Sequence, residues 1–136
     1  MNNLSKILIF KIGATVLLWC IPLLLFPVSW IRALGLPITE SLIFLRLLGM
    51  AYSALCVGYW YGLQASLDGK RLMPPIVVGI VSNGGACLLL LGYGITGAWS
   101  SWGVLMQILM WISLIATGLI TVGLYLFGIR GTDPLA

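Results

Sequence analysis

The sequence predicts an all-α integral membrane protein, a four-helix bundle in up-down order with its N and C termini cytoplasmic. Three observations carry that reading. Hydrophobic residues make up 61% of the 136 residues and charged residues 7%, whereas soluble domains average roughly 25% charged. A chain this short, folded in water, leaves too much surface exposed to hide so many apolar side chains. The apolar residues also gather into four stretches close to the roughly 20 residues that cross a hydrocarbon core, separated by short connectors that carry Gly and Pro.

The first span is expected at about residues 12–30, with Lys6 and Lys11 flanking its start. Lys11 at the edge can extend its amine to the headgroups while its stem stays in apolar surroundings. Pro22 and Pro27 predict a kink in this span, since proline removes a helix hydrogen bond and crowds the preceding turn. The apolar stretch is long, and Ala33-Leu34-Gly35 after Arg32 makes a poor cleavage site, so the segment reads as a retained helix, not a leader. In the connector that follows, Thr39 is the expected helix N-cap and Glu40 a first-turn carboxylate that suits the helix dipole.

The second span is expected at about 41–63, ending in Tyr59-Trp60-Tyr61, residues suited to an interfacial belt. Asp68, Lys70 and Arg71 mark a polar connector, and Pro74-Pro75 opens the third span at about 75–95, where a missing first-turn N–H does no harm. Trp99 and Trp102 mark the next turn at an interface, and the fourth span is expected at about 102–127. Small residues recur four apart at Gly49/Ser53, Ala54/Gly58, Ser82/Ala86 and Ser113/Thr117/Thr121. Such spacings let helix backbones approach closely in lipid, within one bundle or against another subunit.

Orientation follows from the basic residues. Lys6, Lys11, Lys70, Arg71 and Arg130 fall on one side and Arg32 and Arg46 on the other, which accounts for all seven. The richer side is expected in the cytoplasm, the membrane being the inner (plasma) membrane. The formal net charge of +4 has no clustered basic face, so nucleic acid is not an expected partner.

The absent residues exclude several functions. The chain has no histidine, which removes the commonest haem and metal ligand and any Ser-His or Cys-His nucleophile. Its three carboxylates lie at span ends or in connectors, so none is placed for proton transport or acid–base catalysis within the bilayer. Cys20, Cys56 and Cys87 are scattered singly in apolar runs and read as small hydrophobes. No cofactor, no metal and no catalytic residue is expected.

Polar groups inside spans are expensive and so become candidates for function. Arg46 either snorkels to the outer interface or belongs to a polar cluster with Gln107, at matching depth in the fourth span, and Glu40. Asn83, in Val81-Ser82-Asn83-Gly84-Gly85, lies mid-span. It would bond a neighbouring helix's backbone or a ligand headgroup, and Gly84-Gly85 makes a broken helix credible. Ser82, Asn83, Gly84 and Gly85 thus form a second candidate contact.

The stretch from Phe44 through Arg46 and Gly49 to Tyr52, together with Gly79 to Ala86, resembles small uncharacterised bacterial four-helix membrane proteins, distantly DoxX-like. In that group the arginine–glycine segment usually lies in the first span; here it lies in the second. The resemblance implies an accessory membrane protein, sometimes linked to redox complexes, and no catalytic residues. The expected function is a non-catalytic accessory or structural subunit of a larger membrane complex, with the bilayer and partner subunits or further copies as contacts. The alternative is a stand-alone binder or carrier of a lipophilic small molecule such as a lipid or quinone.

Overall fold

The structure, a computed structural model, describes residues 2–38 and 42–131. It is all-helical. Helix α1 covers Asn3–Leu25, a short α2 covers Val28–Ala33, and α3 (Ile43–Leu67), α4 (Met73–Ile95) and α5 (Val104–Ile129) follow. Helices α1, α3, α4 and α5 are each long and apolar enough to cross a membrane. Thr39 and Glu40 lie outside the described residues.

The first helix sits earlier in the chain than composition suggested. Asn2 starts it by accepting the Ser5 N–H at 2.7 Å, which satisfies an orphan first-turn donor. Pro27 ends it: a residue before proline is pushed out of the helical region, and Phe26 is extended with φ −69° and ψ 133°. Upstream, Val16–Cys20 forms one π-helical turn just before Pro22, which has no N–H for the Leu18 carbonyl. Widened turns of this kind are a common way for a helix to absorb such a defect. Pro22 is thus accommodated within α1, whereas Pro27 separates it from α2.

Neighbouring helices meet at defined ends. Asn2 and Ser5 at the start of α1 bond Ser66 at the end of α3: the Asn2 amide donates to the Ser66 carbonyl at 3.1 Å, and the two hydroxyls lie 2.9 Å apart. Gly62 near the end of α3 faces Pro75 near the start of α4, Gly128 near the end of α5 faces Ile76, and Gly123 faces Ile7 of α1. Leu4, Leu8, Leu63, Ile76, Ile120 and Leu124 form the core there. At the opposite end Trp99, Met106 and Met110 form a second cluster. Outward-facing positions carry large apolar side chains such as Phe44, Leu88 and Ile115, a surface suited to lipid.

Several expectations change. Trp99 turns inward: it is buried and stacks edge-to-face on Trp111 with centroids 5.7 Å apart. Tyr59 turns inward while Trp60 and Tyr61 stay exposed, as a helix must place consecutive residues about 100° apart. Helix α4 runs unbroken through Gly84-Gly85. The connectors lock together where the Gly103 N–H donates to the Gly35 carbonyl at 3.0 Å.

Candidate functional site

A cavity of about 90 Å³ lies between the two core clusters. Its polar wall comes from Lys11 of α1, Tyr59 of α3, Ser82 and Asn83 of α4, and Ser113 and Thr117 of α5. Four long helices therefore each supply a polar side chain to one pocket.

Lys11 is the residue whose role the sequence reading missed. Because α1 starts at Asn3, Lys11 is in its third turn, and its side chain is only 3% exposed. It lies within the helix and faces the protein interior instead of flanking the helix start. Its ammonium lies over the Tyr59 ring, 4.0 Å from the centroid, a cation–π contact that offsets part of the desolvation. Gly79 makes room for this arrangement: a Cβ there would meet Leu124, the Tyr59 ring and the Lys11 stem. No carboxylate or hydrogen-bond acceptor contacts Lys11 among the described residues. Asp68, the only carboxylate among them, is exposed at the end of α3.

The amide nitrogen of Asn83 bonds within α4, and Ser82 bonds α3. The Asn83 amide nitrogen donates to the Gly79 carbonyl at 2.7 Å and to Ser82 Oγ at 3.3 Å. Asn83 thus bonds its own helix, and the link to a neighbour runs through Ser82, whose hydroxyl lies 2.9 Å from that of Tyr59. On α5, Thr117 donates to the Ser113 carbonyl at 2.8 Å. Ser113 Oγ is buried without any hydrogen-bond partner. The wall therefore includes a buried hydroxyl without a partner, Ser113 Oγ, and an ammonium, Lys11 Nζ, set against the Tyr59 ring. Gly84 and Gly85 are not part of the wall: Gly84 faces Thr121, and Gly85 faces open space.

Arg46 and Gln107 do not form the expected cluster. The Arg46 guanidinium donates to the Leu23 carbonyl at 2.5 Å and to the Phe26 carbonyl at 2.6 Å. The i+4 donor that Leu23 would normally use belongs to residue 27, which is proline. Arg46 replaces that missing N–H and adds a cation where the dipole of α1 is negative. Gln107 donates instead to the Ser100 and Trp102 carbonyls, at 3.1 and 2.8 Å, and closes the α4–α5 turn. Each side chain is drawn to the nearest orphan carbonyls, which depth matching along the sequence does not register. Glu40, the third member of that cluster, lies outside the described residues.

Two further features lie near the cavity. The Cys20 and Cys56 thiols of α1 and α3 are neighbours, both buried and not joined in a disulfide, although distant in sequence. A second cavity of about 50 Å³ shares Leu18 and Trp19 with the first, and its wall is apolar.

These features define a class: an all-helical chain with four potential membrane spans around a partly polar internal cavity. No family model, curated protein or solved structure matches it.

Proposed function

We propose that this chain is a multi-pass protein of the inner (plasma) membrane, an up-down four-helix bundle with both termini cytoplasmic, that binds or carries a small lipophilic molecule in its central cavity. The observation that carries this reading is a buried ammonium, Lys11, facing only an aromatic ring, and a buried hydroxyl without a hydrogen-bond partner, Ser113, in the wall of one cavity. Buried polar groups are ordinarily satisfied, so open capacity beside empty space suits a ligand that arrives from outside the chain. A water molecule requires roughly 10–15 Å³, so the space fits a headgroup and a few carbons, not a whole lipid. The role is non-catalytic and uses no resident cofactor.

A second reading, an accessory subunit of a larger membrane complex, rests on a different observation. Ala54 and Gly58 are exposed on α3 and Gly85 on α4, and a Cβ at Gly58 or Gly85 would meet nothing. Small residues on an outer face suit contact with another helix.

Gentle purification from native membranes, with mass spectrometry of everything retained, separates the two. One dominant lipophilic molecule, lost from a Lys11→Met, Ser113→Ala double variant, supports the binder. Stoichiometric protein partners and no retained small molecule support the subunit and defeat the binder.

A further inference from the structure

Resting on the reading of the cavity as a lipophile site, we propose that its ligand is a singly charged amphiphile, an aliphatic carboxylate whose head is held by Lys11. The argument begins with charge. An ammonium buried to 3% exposure, with no counter-ion among the described residues, is strongly disfavoured in a low-dielectric interior. The Tyr59 ring at 4.0 Å offers only a quadrupole. A neutral carbonyl, as in a quinone, would satisfy the Ser113 hydroxyl and leave the charge on Lys11 uncompensated. A phosphate dianion would exchange one unbalanced charge for another. A carboxylate neutralises Lys11 with one charge and accepts from Nζ in a bond strengthened by ionic character.

The tail follows from the second cavity. It adjoins the first across Leu18 and Trp19 and is lined by Pro22, Leu23, Met106 and Leu109, with no charged side chain. Polar space at Lys11 and apolar space beyond Trp19 lie end to end, matching a molecule with a charged head and a hydrocarbon tail. A tailless anion would use only half of this arrangement.

The test uses the purified full chain in lipid nanodiscs, with binding of decanoate, methyl decanoate and formate followed by native mass spectrometry. Decanoate is expected to bind, and methyl decanoate at least about tenfold more weakly, the factor expected when a hydrogen bond to a charged group is lost; formate, which lacks the buried alkyl chain, is expected at least about tenfold weaker as well. Lys11→Met should weaken decanoate by about tenfold and leave methyl decanoate unchanged. Equal binding of decanoate and methyl decanoate would overturn anion recognition while leaving the lipophile reading intact. Equal binding of formate and decanoate would overturn the amphiphile. Binding of none of the three would overturn this inference, and, if native preparations also retain no small molecule, the lipophile reading with it.

Discussion

Arg46 and Lys11 are both cations on membrane-length helices, yet their surroundings differ, and so do the expected effects of removing them. Arg46 holds the Leu23 and Phe26 carbonyls. Its removal leaves two acceptors unsatisfied where water is scarce, and hydrogen bonds to charged groups contribute about 1.5–3 kcal/mol each. Arg46→Ala is therefore expected to destabilise the protein by about 2–4 kcal/mol in detergent unfolding, given partial replacement by solvent. Lys11 has no acceptor to abandon. Lys11→Met should leave stability unchanged or raise it by about 1–2 kcal/mol in the ligand-free protein, because it removes a desolvated charge. A large loss of stability in Lys11→Met would mean that the ammonium already has a strong partner.

At the scale of elements, Pro27 and Arg46 form one device. Proline ends α1 and deprives Leu23 of its donor, and arginine from α3 supplies another. Pro27→Ala restores an N–H at residue 27, so it should reduce the need for Arg46. The double variant Pro27→Ala, Arg46→Ala is expected to lose at least about 1 kcal/mol less than the two single losses summed; strict additivity would separate the two residues. Glycines divide the same way. Gly103 opposes Gly35, whose φ is +91°, and a Cβ on either would run into the other's backbone. Gly103→Ala should break the link between the α2–α3 and α4–α5 connectors and lower the unfolding temperature. Gly85→Ala, facing open space, should instead be neutral or raise it, since alanine favours the helix by about 1 kcal/mol over glycine.

For the whole molecule, the proposed topology places Lys70 inside the cell and Ser100 outside. With Cys20, Cys56 and Cys87 replaced by alanine, a single cysteine at Ser100 should react with a membrane-impermeant maleimide in intact cells. One at Lys70 should react only after permeabilisation. The reverse pattern would invert the orientation drawn from the basic residues.

The all-helical class and four membrane-length helices were legible in composition, because the solvent a chain needs is set by how much apolar surface it carries, and that requires no knowledge of neighbours. The Pro74-Pro75 start of the third helix was legible too, since a missing first-turn donor is a local matter. Hydropathy could not locate the first helix correctly: it treated Lys6 and Lys11 as a boundary, whereas Asn2 caps the helix and Pro27 ends it. That one shift carries Lys11 into the interior. The partners of Arg46 and Gln107 were hidden for a related reason. Both bond backbone carbonyls, which every residue has, so nothing in residue identity marks which ones are left without a donor. The cavity itself belongs to tertiary structure alone. Tyr59 faces inward, Gly79 opens space beside it, and Lys11 and Ser113 come from helices about a hundred residues apart in the chain; only the packing of the four helices brings a buried ammonium and an unpaired hydroxyl to the same small space.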